Sequence, residues 1–240
     1  MQAGRILCAL IGASLTSGSG AAADEADDLR TVLFSGVEIG RSAHAGSGFK
    51  WRIDGPIDTP GTFVFGSFGS GTGRERDEMG RLEDNRARLT SFGTFGLGQS
   101  WFVGPTVFSI ALGPEVDHEQ VVRGRAKFDS DALRFGVRLI GEIWSHPSPD
   151  TLLTFTIVAG SARGHLWSRL AGGYRVHERV FVGPEVTFYR DQTFEEIRLG
   201  LHATGFALAG YTLRLSGGWR FETSNRHNGP YVALSGWVKK

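Results

Sequence analysis

The residues of this chain that could do chemistry fall in strand-like stretches and carry both signs of charge. Glu38, Arg134, Arg138, Glu142, Arg169, Glu185, Arg198, His202, Arg214, Arg220 and Glu222 each hold a polar position where polar and apolar residues alternate. Period-two alternation sends the two sets to opposite faces of a β-strand. Because acids and bases are interspersed, the pattern predicts mutual ion pairing that braces an interior, not a filter for ions of one sign.

Seven histidines are present, at His44, His118, His146, His165, His177, His202 and His227. None has metal-site spacing, and the only cysteine is Cys8, so neither a metal centre nor a cofactor is expected. His202 shares its polar face with Arg198 and Thr204, and Ser216 falls near it on the next strand. A histidine–serine pair near a lipid boundary suits a barrel enzyme acting on lipid or polysaccharide, and that alternative stays open. The orienting acid and the oxyanion donors of a triad are not evident in the pattern. The run Gly69-Ser70-Gly71-Thr72-Gly73-Arg74 lacks the ending of a phosphate loop and no helix follows it. It reads as a strand entering a loop, with Glu75, Arg76, Asp77, Glu78 and Arg81 as solvated charges.

The elements that must position these residues are strands throughout. Candidate strands run over 31–40, 45–53, 62–71, 86–98, 101–113, 132–144, 152–161, 166–176, 180–190, 196–208, 212–222 and 231–239. Most are near the roughly 9 to 11 residues of a tilted membrane-barrel strand, longer than the roughly 5 to 6 of an ordinary globular one. Ile197, Leu199, Leu201 and Ala203 alternate with Arg198, Gly200, His202 and Thr204, and the next strand repeats the pattern. Ala209-Gly210-Tyr211 reads as a three-residue hairpin loop, a register that sets Arg198 opposite Glu222. Leu133, Phe135, Val137, Leu139 and Ile143 oppose Arg134, Gly136, Arg138 and Glu142, and Phe49, Trp51 and Ile53 oppose Lys50 and Arg52. A soluble periplasmic sandwich that binds glycans would turn the leucines inward. A membrane barrel turns them to lipid and the arginines to its lumen.

Connections and termini favour the barrel. The links at Gln99-Ser100, 146–150, 177–179 and 209–211 are short; those at 72–85, 114–131 and 223–230 are long and polar. With both termini periplasmic, the long links all fall outside, as in outer-membrane barrels, although the links at 162–165 and 191–195 are short on that side. Trp101, Phe102, Phe181 and Tyr211 form one expected aromatic girdle, and Phe188, Trp219 and Phe221 the other. Barrel chains often end on an aromatic that assembly machinery reads, whereas this chain ends Trp237-Val238-Lys239-Lys240, a departure in which Trp237 is the candidate for that signal. Arg5, the apolar run 6–15 and Ala21-Ala22-Ala23 read as a cleaved secretory signal peptide over 1–23. A mobile periplasmic lead-in, 24–30, and a barrel domain, 31–240, follow. The chain has 240 residues, 35 glycines and a formal net charge of +1. That near-neutral balance gives no footprint for nucleic acid. The expected fold is therefore an all-β, antiparallel transmembrane barrel of about twelve strands.

Short signatures recur. Phe102-Val103-Gly104-Pro105 is echoed by Phe181-Val182-Gly183-Pro184, and Gly113-Pro114-Glu115 by Gly183-Pro184-Glu185. Together with Ala159-Gly160-Ser161-Ala162-Arg163, the run 198–205 and Gly229-Pro230-Tyr231…Trp237, the set resembles the BcsS family of cellulose biosynthesis proteins, from about Arg30 to Trp237. The resemblance implies an exported, outer-membrane accessory of cellulose production or export, non-catalytic, with outer-membrane lipid, cellulose and components of the synthase complex as candidate partners. It carries no catalytic residues over. Under it, the polar lumen becomes either a structural brace or a path or surface for a neutral glucan.

Overall fold

The computed structural model describes residues 29–40, 42–76, 82–123, 127–192, 195–222 and 228–240. The signal peptide, most of the lead-in, His227 and the loop charges Asp77, Glu78 and Arg81 lie outside the described residues. Twelve strands follow one another: β1 (Thr31–Ile39), β2 (Ala43–Arg52), β3 (Gly61–Arg76), β4 (Leu82–Val103), β5 (Thr106–Arg123), β6 (Lys127–Ser145), β7 (Thr151–Gly160), β8 (His165–His177), β9 (Val180–Arg190), β10 (Glu195–Leu208), β11 (Tyr211–Glu222) and β12 (Gly229–Lys239). Each pairs antiparallel with its neighbours in sequence, and β1 pairs with β12 to close the ring. Closure removes the sheet edges, so the ladders satisfy the backbone all round. It also removes the sandwich alternative, which needs two separate sheets.

The outward face is apolar. Phe135 is 73% exposed and Leu201 63%, whereas the inward Arg214 and Glu115 are each 1% exposed. From Leu133 to Ile143, at about 3.3 Å per residue and a tilt of about 40°, the apolar row on β6 rises about 25 Å, the height of a barrel's lipid-facing band. Water would not tolerate such a surface at this extent, while hydrocarbon accepts it. The described aqueous-type core is correspondingly small: Phe63, Phe65 and Ala111 pack inside the barrel with Ile140.

Several details depart from the sequence expectation. The turn between β4 and β5 is at Gly104-Pro105, with Gly104 at φ 56°, and not at Gln99-Ser100, which lie inside β4. The expected long links at 72–85 and 114–131 are largely strand. Pro114 cannot donate toward β4, but β5 stays paired with β6 on its other side from Thr106 to Arg123. At β10–β11 the loop is a two-residue turn, Ala209-Gly210, with φ of 49° and 81°, and Leu208 pairs with Tyr211. Gly205, at φ 104°, then bulges between Thr204 and Phe206. A Cβ there would sit 1.9 Å from the Arg179 carbonyl oxygen, so only glycine fits. Turn and bulge together move the register, and Arg198 lies opposite Arg220, with Glu196 opposite Glu222.

Phe181 is not part of a girdle. It is 6% exposed and points inward, with the Arg175 guanidinium 5.5 Å from its ring centroid. Trp101, Tyr211, Trp219 and Phe221 are exposed on the outside. At the terminal end, Leu29 and Arg30 accept hydrogen bonds from the Ile57 and Arg52 amides, which ties the start of the barrel to the β2–β3 link.

Candidate functional site

The interior is built from alternate residues of all twelve strands, and two short motifs place its central carboxylates. Gly113-Pro114-Glu115 lies in β5 and Gly183-Pro184-Glu185 in β9. In each, the ladder is interrupted on one side only: between Thr94–Glu115 and Leu97–Leu112 on β4, and between Ala171–Glu185 and Tyr174–Val182 on β8. Proline supplies no N–H there. The preceding glycine lets the neighbouring strand come close, for a Cβ would lie 2.2 Å from the Phe95 carbonyl oxygen at Gly113 and 2.0 Å from that of Gly172 at Gly183. The glutamate that follows then turns inward and is buried. Arg138 donates to Glu115 at 2.7 Å, and Arg214 to Glu185 at 2.6 Å. Ser216 and Tyr231 also donate to Glu185, at 3.2 and 3.4 Å, and Arg214 reaches Thr154 of β7 at 3.4 Å.

Other pairs cross the interior. Lys50 of β2 binds Glu142 of β6, and Ser109 donates to the same carboxylate at 2.9 Å. Toward the far end, Arg198 of β10 binds both Glu196 and Glu38 of β1, and Arg220 lies 3.4 Å from Glu196. Arg163 sits 3.2 Å from Glu119 and 3.4 Å from Asp191, and Arg134 is 3.5 Å from Glu119. Glu222 also faces this end, opposite Glu196. Arg169 of β8 faces inward without an ion pair among the described residues, beside the ring of Trp167.

Nearer the terminal end, aromatic residues fill the lumen. Trp144 of β6 and Trp237 of β12 meet edge to face with centroids 5.5 Å apart. Trp237 therefore faces the lumen, and Val238 is the outward residue beside it. Behind the two tryptophans lies a cavity of about 390 Å³.

His202 is 2% exposed, directly opposite Ser216. Its Nδ1 is 2.8 Å from the Thr204 hydroxyl and its Nε2 3.2 Å from the Gly172 carbonyl oxygen. The Ser216 hydroxyl goes to Glu185 instead, so the two do not form a nucleophile–base contact. Elsewhere, His118 pairs with Asp131 at 2.5 Å on the outside of the far rim. His165 lies 3.9 Å from Glu115. Among the described residues no group of histidines and carboxylates has the geometry to hold a metal. The glycine run 69–74 is part of β3.

Alternation alone does not single out Lys50, the partner of Glu142, or Glu115, the partner of Arg138, although Lys50 lies on the polar face and Glu115 in a motif that repeats. It carried no signal for Trp144, Trp167 and Trp237, apolar residues that point inward.

Comparison with solved structures returns membrane barrels of distant sequence. The KdgM porin is 9% identical, with 85% of this chain and 97% of that chain covered and a TM-score of 0.45. The translocator domain of autotransporter NalP from Neisseria meningitidis is 10% identical, with 94% and 90% covered and a TM-score of 0.47. The CymD monoaromatic hydrocarbon channel is 8% identical, with 89% of each covered and a TM-score of 0.46. No curated protein matches the chain. A family model described as cellulose biosynthesis protein BcsS matches residues 32–240. With nearly the whole barrel under that match, the chain belongs to the BcsS family of cellulose biosynthesis proteins.

Proposed function

We propose that this protein is a non-catalytic accessory of cellulose production, seated in the outer membrane by its apolar face, and that it does not conduct the glucan through its lumen. The observation that carries this is the contact of Trp144 and Trp237, which joins strands on opposite sides of the ring. A glucan chain threading the barrel would have to part these rings and then the Lys50–Glu142 pair. A closed, ion-braced barrel suits an anchoring or docking part, whose rims and loops meet components of the synthase complex. The termini then lie on the periplasmic side and the extended β3–β6 end outside. On this reading, residues 1–23 are the cleaved signal peptide that exports the chain from the cytoplasm.

A barrel enzyme is the second reading, favoured by His202 standing opposite Ser216. The commitments of both side chains to other partners weigh against it. The test is deletion of the gene with cellulose measured at the cell surface, complemented by the intact gene and by a His202→Ala variant. The accessory reading expects a loss on deletion and rescue by both. Unchanged cellulose on deletion would refute it, and failure of the assembled variant alone would favour the enzyme.

A further inference from the structure

The lumenal cavity has the makings of a ligand site. Its volume of about 390 Å³ lies at the small end of the roughly 300–1,000 Å³ of ligand pockets. Two kinds of side chain line it. Trp144, Trp167 and Trp237 supply flat apolar surface, and Lys50, Glu142, Arg169 and the ion-paired Arg138 and Arg214 supply charged groups.

The charges in this wall do not cancel. Glu142 and Glu185, the carboxylates whose fields reach Arg169, are already bound to Lys50 and Arg214. Arg169 keeps no carboxylate of its own among the described residues, and its Nε is buried with no hydrogen-bond partner. Its guanidinium carbon lies 5.6 Å from the centroid of the Trp167 ring, which holds the group in place but uses none of its donors. An enclosed cation with unused donors is costly unless something accepts from it. A guanidinium fork is best matched by the two oxygens of a carboxylate or phosphate.

We propose that the cavity binds an acidic sugar, one or two pyranose rings bearing a carboxylate or a phosphate, with the anion on Arg169. The C–H face of the ring lies against the tryptophans, and the ring hydroxyls meet Lys50 and Glu142. Because Trp144 and Trp237 close the terminal end, the sugar's route is from the far end, where ion pairs such as Arg198–Glu38 and Arg163–Asp191 part to admit it. The site stands on the lumen alone and does not depend on the accessory role.

The test uses the full mature chain in detergent micelles, with intrinsic tryptophan fluorescence read during titration with glucuronate, glucose 1-phosphate, glucose, cellobiose and benzoate. The expected result is saturable quenching by one or both acidic sugars, with affinity for glucose and cellobiose weaker by roughly tenfold or more, the worth of a charged hydrogen bond. The Arg169→Gln variant abolishes this preference and Arg169→Lys retains part of it. Each variant is first checked for heat-dependent gel mobility; if Arg169→Gln does not assemble, the ligand comparison on the unaltered protein decides. Glucuronate without glucose 1-phosphate identifies a carboxylate site, and the reverse a phosphate site. Absence of saturable binding, equal affinity for neutral sugars, or an assembled Arg169→Gln variant that behaves as the parent would overturn the proposal. Benzoate binding as tightly as glucuronate would overturn the assignment to a sugar.

Discussion

Trp144 and Trp237 touch across the whole width of the barrel, from β6 to β12, strands at opposite positions in a ring of twelve. Side chains on opposite walls meet only where the cross-section is narrow and the inward residues are large. An edge-to-face pair of this kind adds about 0.5–1.5 kcal/mol beyond its buried area, so it closes the lumen without being what folds it. Trp144→Ala and Trp237→Ala should therefore leave assembly intact and raise single-barrel conductance in planar bilayers severalfold over the parent. A parent protein that already conducts steadily at the level of an open porin would show that the tryptophans do not seal it.

The Glu185–Arg214 pair should behave as a structural unit. Arg214 is 1% exposed and Glu185 5%, and Glu185 also accepts from Ser216 and Tyr231. Removing one member of such a pair strands the other, at a cost of about 3–5 kcal/mol, whereas replacing both with apolar groups is far milder. Urea unfolding in detergent should show Glu185→Gln strongly destabilised and the Glu185→Leu, Arg214→Met double variant closer to the parent. Equal losses in the two would mean that the pair is not coupled.

Much of this arrangement was legible in the residues, and the limits have physical causes. Alternation on β6 set the faces of Arg134, Arg138 and Glu142, because a strand with one face in hydrocarbon has little freedom of register. The alternation is weak on β4, where the inward face carries Phe92, Gly96 and Gly98 and the outward face carries Phe95 and Leu97. Apolar residues on both faces erase the period. The expected Arg198–Glu222 pairing fails in two places, by one residue at the Ala209-Gly210 turn and by one at Gly205, since a one-residue bulge leaves the alternation on either side looking normal. Pairs such as Lys50–Glu142 join strands that are not neighbours, and no local pattern encodes them. The repeated Gly-Pro-Glu was visible, but its meaning, a ladder gap followed by a buried carboxylate, depends on the strand beside it.

That meaning can be tested at Gly183. A Cβ there would meet the Gly172 carbonyl oxygen at 2.0 Å, while one at Gly93 of β4 would meet nothing within 4 Å. Overpacking of this kind costs about 1–3 kcal/mol, and more where the obstacle is backbone that cannot yield. Gly183→Ala should lower stability by at least that amount and Gly93→Ala should be near neutral, read as urea midpoints. Similar midpoints for both would mean that the strands do not approach closely at the Gly-Pro step.

The outward position of Leu201 tests directly whether the barrel's apolar face meets lipid. Leu201 stands on the outside of β10 at 63% exposure, while the next residue, His202, is 2% exposed inside. In a bilayer, an arginine on the outer face costs about 2–4 kcal/mol near the midplane and little near the interfaces. Leu201→Arg should therefore fold into vesicles with a loss of that size. Arginine in place of Leu208, beside the turn at the terminal end, should cost no more than about 1 kcal/mol. In a water-soluble barrel both substitutions would be harmless or would improve solubility, because each removes an apolar side chain from contact with water. Folding free energies of the two variants in lipid vesicles separate these cases. Equal and negligible effects would show that the outer face does not meet hydrocarbon, and with that the membrane placement would fall.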